Sequence, residues 1–527
     1  VLASRTAVIR QPLRTIAELL AVLPPTQAAE LLNCTPETPI GRPTDDSRAV
    51  VAGGCFIAVV GLTHDGHTFL GSALAARPGL VIVQRDRLEA SAGALDGHPR
   101  VVVEDTRALV PTLAAGWYGW PGERLRLAGV TGTNGKTTVA HLVGAVLRGA
   151  DRPHLRLGTT GNWLVDHESS AGFTTAFPFE LQALLADASE RGATDGVMEV
   201  SSHALAQGRV EPLRFRAIAL TSFSQDHLDF HPDMDAYLEA KRRLAVDHCD
   251  RGGLAIAPRE QGEAAASFLV AADGAGVARC WRSSRTPVPA ADAEIAVVER
   301  RPGPGLNARV RTPIGELELR SAMVGEYNLD NLLVCIGLCI GLDLELSQIA
   351  AALAQTPGVP GRLERVTATG EGPTVYVDYA HTPDAVARAL EALRPSVPAG
   401  ARLSVVLGCG GDRDASKRPL MGEVASRGAE RFYATSDNPR TEDPEAIVDQ
   451  MIAGAVADPA GATLIREVDR AAAIARAIAE AEADDLVLIA GKGHEDYQIL
   501  GTTKIHFDDR EHAQQALRQR GAPPRAL

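Results

Sequence analysis

A multidomain α/β protein built on parallel sheets is the fold class this sequence predicts, and three observations predict it. The chain has 527 residues, which at roughly 100–200 residues per domain suggests about three domains. Short apolar runs alternate with helical patterns, most cleanly in the last third, and that alternation implies parallel strands covered on both faces. A glycine-rich loop stands between a buried strand and an amphipathic helix, the setting of an anion-binding helix N-terminus. The 45% hydrophobic and 23% charged fractions suit folded domains and not a disordered chain.

Several classes drop out on charge and composition. Basic residues number 53 against 66 acidic ones, a formal charge of −13, which argues against a general nucleic-acid binder. No run approaches ~18 uninterrupted apolar residues, so no membrane-spanning helix is expected. The opening VLASRTAVIRQPLRTIAELL is basic but lacks a continuous apolar core, so it does not read as a signal peptide. The seven cysteines, at 34, 55, 249, 280, 335, 339 and 409, are scattered and contain no C-x-x-C pair. They point to reduced thiols in a cytoplasm and away from a zinc ribbon or a disulfide scaffold.

Three blocks follow along the chain. The first, residues 1–118, alternates apolar runs (Cys55–Val60, Leu80–Val83, Val101–Val103) with polar turns. Gly and Pro in Trp117–Gly122 read as a linker into the second block, 119–357. The stretch Pro357-Gly358-Val359-Pro360-Gly361 introduces the third, 358–527. There Thr374–Val377, Leu403–Leu407, Phe432–Ala434 and Leu486–Ala490 read as strands, and Asp384–Leu393 and Ala471–Ala483 as helices between them. No fixed-period repeat or low-complexity tract is visible.

The chemistry begins after the expected strand Leu125–Val130. Thr131-Gly132-Thr133-Asn134-Gly135-Lys136-Thr137-Thr138 precedes a helix whose apolar residues Val139, Leu142, Val143, Val146 and Leu147 recur at i, i+3, i+4, i+7 and i+8. Loop amides and the helix dipole would face a phosphate, Lys136 would reach the β- and γ-phosphates, and the Thr137 hydroxyl suits Mg²⁺. Val130 stands where the strict phosphate-loop spacing has its first glycine.

Two further strands end in polar groups. Glu199 interrupts the apolar run Gly196–Val200 ahead of Ser201-Ser202-His203, and a carboxylate ending a buried strand needs a partner, of which Mg²⁺ is one. Ala217–Thr221 leads to Ser224-Gln225-Asp226-His227-Leu228-Asp229. In the helix Asp233–Ala245, Lys241 falls on the apolar stripe with Met234, Tyr237, Leu238, Leu244 and Ala245. Such a lysine either snorkels, its stem covering apolar surface, or lies buried as a neutral amine able to take up CO₂. In the third block, polar clusters Gly408–Asp414, Asp437–Arg440 and Gly491–Glu495 each follow a strand. Loops at the carboxyl ends of a parallel sheet share one crevice. Arg413 and Arg440 would supply forks for carboxylates and Glu495 a partner for an ammonium, a pocket for a zwitterion with a further carboxylate.

The octet TGTNGKTT resembles the ATP loop of the Mur ligase family, which includes the folylpolyglutamate synthetases, and the later motifs extend the resemblance over nearly the whole chain in order. It implies an N-terminal UDP-substrate domain, a central P-loop ATPase domain and a C-terminal Rossmann-like domain. ATP would be held by Gly132, Thr133, Asn134, Gly135, Lys136, Thr137 and Thr138, with Asn331, Arg362, Asp378 and His381 toward adenine and ribose. Catalytic roles would fall to Lys136, Glu199, His227 and Lys241. Thr137 and Glu199 would hold one Mg²⁺, and His227 and a CO₂-derived carbamate on Lys241 the second. Ser47, Leu62, Thr63 and His64, though Asp46-Ser47-Arg48 alone reads equally as a polar turn, would contact a uridine nucleotide. Thr174, Thr175, Ser201, Gln207 and Arg209 would contact its muramoyl-dipeptide.

Asp437-Asn438-Pro439-Arg440 resembles the DNPR signature of family members that add meso-diaminopimelate, with Arg413, Gly491 and Glu495 as the remaining contacts. The implied activity is ATP-dependent ligation of meso-diaminopimelate to the D-Glu γ-carboxylate of UDP-MurNAc-L-Ala-D-Glu through an acyl phosphate. The chain would work as a cytoplasmic monomer without nucleic-acid or membrane partners. Alternatives are a ligase of the same branch with another amino acid or acceptor, a folylpolyglutamate synthetase, and a nucleotide-binding scaffold that has lost ligation. Three positions depart from the family's pattern. Ser222 replaces the usual Asn, keeping a hydroxyl but losing the amide's reach. Ala176 replaces a proline after the threonine pair, and Phe173 precedes that pair where a polar residue can contact substrate.

Overall fold

The computed structural model describes residues 13–23, 27–61, 64–303, 305–366, 372–456 and 462–520. Most of the N-terminal segment read above, and the candidates Leu62 and Thr63, lie outside the described residues. Packing divides the chain into two compact units: Val1–Val297 with Arg311–Leu317 and Leu332–Ala352, and Val298–Val310 with Glu318–Asn331 and Leu353–Leu527.

The first unit contains two sheets. The N-terminal one comprises β1 (Ala29–Leu32), β2 (Pro43–Thr44), β3 (Cys55–Ile57), β4 (Leu80–Gln84) and β5 (Arg100–Val103), in the order β1-β5-β4-β3-β2. Only β1 runs antiparallel to its neighbour. The expected linker Trp117–Gly122 is folded. The helix Thr106–Trp117 ends there, Trp120 is buried with a left-handed φ of 56°, and Pro121–Arg124 forms a 3₁₀ turn. Glycine and proline broke the sequence pattern at that point, but burial of the indole holds the chain down.

The second sheet is built on β6 (Arg126–Thr131), β7 (His154–Leu157), β8 (Asn162–Leu164), β9 (His167–Ser169), β10 (Asp195–Glu199), β11 (Phe215–Leu220), β12 (Cys249–Pro258) and β13 (Arg279–Ser284). Their order is β13-β12-β11-β6-β10-β7-β8-β9. The six from β13 to β7 are parallel, and β8 and β9 turn back antiparallel. β6 lies between β10 and β11, with Val130 opposite Glu199 on one side and Ala219 on the other. The carboxyl ends of three strands are thus level, and the loops that leave them meet. β14 (Ile295–Arg300), β15 (Leu306–Thr312) and β16 (Gly315–Ser321) succeed them in the chain.

In the second unit, β17 (Glu364–Val366), β18 (Thr374–Asp378), β19 (Leu403–Cys409), β20 (Arg431–Ser436), β21 (Thr463–Arg466) and β22 (Leu486–Ala490) form a sheet ordered β17-β18-β22-β19-β20-β21. It is parallel except for β17. Its central strands read as unbroken apolar runs because both faces are buried. Leu403, Val405, Leu407, Leu486 and Leu488 enter one core, while Val406, Val487 and Ile489 enter the other. Helices Pro383–Leu393 and Arg470–Glu480 match the periodicities seen in the sequence, and Thr382 and Asp469 cap their first turns. A hairpin of β23 (Tyr497–Leu500) and β24 (Thr503–His506) follows.

One ion pair lies wholly inside this unit. Arg470 donates Nε to Asp509 Oδ1 at 2.8 Å and Nη2 to Oδ2 at 2.7 Å, with both side chains shut from solvent. The same guanidinium donates to the carbonyls of Ser436 (3.3 Å) and Ala490 (3.0 Å), the last residues of β20 and β22. It therefore satisfies two strand ends that would otherwise lose their partners. Removing one member of a buried pair strands the other charge, so Asp509→Ala is expected to cost about 3–5 kcal/mol. Denaturant unfolding followed by far-UV circular dichroism checks this; an unchanged midpoint would remove the pair from the supports of the fold.

Candidate active site

The octet forms the expected loop between β6 and the helix Lys136–Gly149. Gly132 has a φ of 147°, and a Cβ there would stand 2.1 Å from Thr221 Oγ1, so only glycine lets the loop pass over the end of β11. Lys136 folds back along the loop, donating Nζ to the carbonyls of Gly132 (2.8 Å) and Thr133 (2.9 Å). The Thr133 hydroxyl lies 3.1 Å from Tyr237 Oη and donates to the Ser224 carbonyl at 3.1 Å. Ser222 ties the loop down: its Oγ accepts from Asn134 N at 2.8 Å and donates to Asn134 O at 3.0 Å. A residue expected only to lose reach thus works as a clamp on the loop backbone.

Glu199 is 1% exposed, and its partners are protein donors. Thr137 Oγ1 donates to Oε2 at 3.0 Å, Thr159 N to Oε1 at 2.8 Å, and Thr159 Oγ1 to Oε2 at 3.3 Å. The hydroxyl of Thr137 and the carboxylate of Glu199 therefore converge on one point beside the loop. A buried carboxylate next to a hydroxyl is the hard-oxygen donor set that Mg²⁺ takes alongside phosphate oxygens, so these residues fit the ion that a polyphosphate brings.

The segment after β11 and the helix Met234–His248 close the other side. Asp233 caps that helix through Ala236 N, and Lys241 is 1% exposed with Nζ 4.2 Å from the centre of the Tyr237 ring. Burial and the nearby Lys136 charge hold the Lys241 amine well below its ordinary value, which favours the buried neutral amine over the snorkelling alternative. His227 adopts a φ of 55°, uncommon for a residue with a Cβ, and its ring lies 6.0 Å from that of Tyr237 and 4.8 Å from that of His203. Burial, with Lys136 and Lys241 beside it, holds its imidazole below the usual range against the opposing pull of Asp226. Both groups are thus neutral, the state in which imidazole ligates a metal and an amine reacts with CO₂.

The muramoyl-side candidates cluster around the end of β10. Thr175 Oγ1 donates to the Glu199 carbonyl at 2.9 Å and accepts from Ser201 N at 3.0 Å, and Thr159 Oγ1 donates to Thr174 Oγ1 at 3.1 Å. Arg209 donates to Gln207 Oε1 at 2.7 Å and to the Thr175 carbonyl at 3.1 Å, with its guanidinium 3.9 Å from the Phe177 ring centre. Phe173, 53% exposed, stacks edge-on against Phe177 at 5.0 Å. The departing phenylalanine thus packs beside a substrate candidate, while Ala176 packs against the core. Ser47 opens a 3₁₀ turn capped by Asp46, and the His64 carbonyl accepts from Gly61 N at 2.8 Å; both belong to the N-terminal sheet.

In the second unit the polar clusters do gather. Gly410 has Arg440 Nη1 and the Arg413 Cγ on the side where its Cβ would stand, at 3.1 and 3.8 Å. Arg440, at a φ of 52°, donates to the Gly411 carbonyl at 2.7 Å. Gly491 has a φ of 118°, and a Cβ there would come within 2.7 Å of Asp437 Oδ2. Asn438 Nδ2 donates to Glu495 Oε2 at 3.1 Å. Pro439 lies between Asn438 and Arg440 in the same turn, which the hairpin strand β23 braces through Arg440 N to Ile499 O at 3.1 Å. Among the nucleotide candidates, Asp378 accepts from Leu363 N at 2.6 Å and Ala380 N at 2.8 Å, so it shapes the loops carrying Arg362 and His381. Burial raises its carboxyl. Arg362 lies 4.7 Å over the Tyr379 ring, and the His381 ring is 4.7 Å from the same ring. Asn331 turns to Asn328, donating Nδ2 to its Oδ1 at 3.1 Å.

Thr159, Tyr237 and Lys492 escaped selection as site residues. Tyr237 was visible only as a member of an apolar stripe, and Thr159 carried no signal beyond following an apolar run. Lys492 had one: a lysine two residues past a strand buried on both faces.

Residues 130–339 match the family model described as the Mur ligase middle domain, and residues 361–493 match the Mur ligase, glutamate ligase domain. A relative from Gloeobacter violaceus, named UDP-N-acetylmuramoyl-L-alanyl-D-glutamate–2,6-diaminopimelate ligase, is 44% identical over 486 residues, covering 92% of this chain and 95% of its own. One of the same name from Synechococcus elongatus is 42% identical over 498 residues, covering 94% and 97%. A solved structure of a ligase with that name superposes with a TM-score of 0.68 at 29% identity, covering 97% of this chain and 99% of its own.

The Ser222 clamp generates an expected outcome. Ser222→Ala leaves Asn134 N and O without their buried partner, and at about 1 kcal/mol per lost hydrogen bond the Kd for a magnesium–nucleotide complex should rise by about fivefold. Isothermal titration with a non-hydrolysable nucleotide measures it; an unchanged Kd would show that the loop holds its shape without the serine.

Proposed function

The chain belongs to the Mur ligase family, and from that premise we propose how its residues divide the work of the reaction its relatives are named for. The fold is the family's: α/β, with an N-terminal domain, a central P-loop ATPase domain and a C-terminal Rossmann-like domain. The protein is an ATP-dependent ligase of peptidoglycan precursor synthesis that joins meso-2,6-diaminopimelate to the D-Glu γ-carboxylate of UDP-MurNAc-L-Ala-D-Glu. The domains are taken to span residues 1–118, 119–357 and 358–527. The observation that carries the amino-acid assignment is the gathering of Asp437–Arg440, Gly491 and Glu495 at one sheet edge, with Arg413 beside Arg440.

The γ-carboxylate attacks the γ-phosphorus of ATP, forming an acyl phosphate and releasing ADP. The amine of diaminopimelate attacks the acyl carbon, and the tetrahedral intermediate expels phosphate to leave the amide. The loop amides of Gly132–Gly135 and the Lys136 ammonium hold the β- and γ-phosphates, with the helix dipole behind them. Thr137 and Glu199 hold one Mg²⁺, and His227 and a carbamate on Lys241 a second. Bound there, the metal charge lets two anions, the polyphosphate and the carboxylate, come into contact. Arg209, braced by Gln207 and Phe177, steers the dipeptide carboxylate, with Thr174, Thr175 and Ser201 beside it. Ser47, Leu62, Thr63 and His64 take the uridine nucleotide, and Asn331, Arg362, Asp378 and His381 serve adenine and ribose. Arg413 and Arg440 engage diaminopimelate carboxylates and Glu495 an ammonium. The seven free cysteines support a reducing, cytoplasmic setting, and a monomer is proposed. No helix among the described residues is long and apolar enough to cross a membrane.

Phosphate release by the purified protein with ATP, Mg²⁺ and UDP-MurNAc-L-Ala-D-Glu is expected to require diaminopimelate and to fail with L-lysine. Release with lysine alone would overturn the pocket assignment. Arg440→Lys, which keeps charge but loses the fork, should raise KM for diaminopimelate by about tenfold or more without moving KM for ATP. Stripping dissolved CO₂ should slow turnover and bicarbonate restore it; a rate indifferent to CO₂ would leave Lys241 as a plain buried amine.

A further inference from the structure

Lys492 is wholly buried, yet its ammonium is surrounded by oxygens. Nζ lies 3.2 Å from Asn438 Oδ1, 3.3 Å from Glu495 Oε2 and 3.6 Å from Asp437 Oδ1. Asn438 donates Nδ2 to the same Glu495 oxygen at 3.1 Å, and its own Oδ1 also accepts from Ile499 N at 3.0 Å. A stem kept only for packing would need no such set of acceptors, because a methionine fills the same space without a charge to desolvate. The geometry points to Lys492 as a positioning residue, whose ammonium locks the Glu495 carboxylate in place and preserves its negative charge for an incoming ammonium.

The inference rests on reading this pocket as the diaminopimelate site. Charge arithmetic favours it. Arg470 also feels Asp437 and Glu495, but its guanidinium is engaged by Asp509 at 2.7 Å. Asp437 and Glu495 therefore share one ammonium in direct reach, and the set is one positive charge short, which a substrate ammonium supplies. The groups facing Glu495 are Lys492 on its own loop, Asp437 and Asn438 after β20, Tyr497 on β23, Tyr379 after β18, and Arg470 behind them. Burial pushes the Glu495 carboxyl above its ordinary value, Lys492 pulls it back, and Asp437 pushes it further up. With Lys492 neutralised the carboxyl would be harder to ionise, so at a given acidic pH fewer molecules would carry the charge. The acidic limb of kcat/KM for diaminopimelate would then move to higher pH.

The test measures phosphate release by the full-length chain, with diaminopimelate varied across the neutral and acidic pH range, for the parent, Lys492→Met, Lys492→Arg and Glu495→Gln. Lys492→Met should raise KM for diaminopimelate by about tenfold or more, shift the acidic limb upward, and leave KM for ATP and for the UDP substrate unchanged. Lys492→Arg, which keeps the charge, should restore most of the parent's profile. Glu495→Gln should abolish the limb. An equal loss at every pH with the limb unmoved, or equal damage from the Met and Arg variants, would reduce Lys492 to packing. If Lys492→Met proves unfolded by circular dichroism, Glu495→Gln still decides: a limb that persists there overturns the proposal. A parent without diaminopimelate-dependent release would bring down the pocket assignment and this inference together, whereas a parent that releases phosphate with an unmoved limb brings down only this one.

Discussion

Glu199 ends β10 shut away from water, and an ion in that position is tolerable only while donors surround it. Much of the central site follows from that constraint. Its oxygens are met by Thr137 at the start of the phosphate-loop helix and by Thr159 after β7, while its carbonyl is met by Thr175 from the segment that leads to Arg209. One buried carboxylate thus holds the nucleotide loop and the acceptor-side residues in a common frame. Positioning of this kind suits a reaction in which most of the work is bringing two anions together.

The second unit uses the same device with the signs arranged differently. Arg470 and Asp509 cancel each other below the sheet edge while the guanidinium fastens the ends of β20 and β22. Above them Lys492 is shared by Asp437 and Glu495. The turn that carries Asn438 and Arg440 is braced from the far side by β23, through Asn438 Oδ1 and Arg440 N. A pocket meant to distinguish an amino acid bearing a second ammonium and carboxylate needs such rigidity, because each mispaired charge in a desolvated site is costly.

The departures from the family's pattern acquire physical meaning in this frame. Ser222 replaces a longer amide, and the short hydroxyl reaches both the N–H and the carbonyl of Asn134 because β6 and β11 are adjacent. Phe173 gives up a polar contact and joins Phe177 beside the Arg209 guanidinium, whose planar face suits aromatic stacking. Lost hydrogen-bonding capacity is replaced in one case by a backbone clamp and in the other by a flat apolar support.

What the sequence determined by itself was whatever is encoded locally. The phosphate loop was legible because strand, glycines, lysine and amphipathic helix are contiguous. Lys241 could be placed on a buried stripe because helical periodicity is a local property. The strand ends carrying Glu199, Asp437 and Gly491 were legible because a parallel sheet buried on both faces leaves its strands as unbroken apolar runs. Tertiary structure decided everything that depends on which strands are neighbours. Only the pairing of β6 with β10 and β11 brings Thr137 to Glu199 and Ser222 to Asn134, and only the β22–β19–β20 order puts Lys492 between two carboxylates. Neutrality of Lys241 and His227 was likewise undecidable from spacing, since it comes from the solvent their neighbours exclude and from the charge of a lysine about a hundred residues away in the chain.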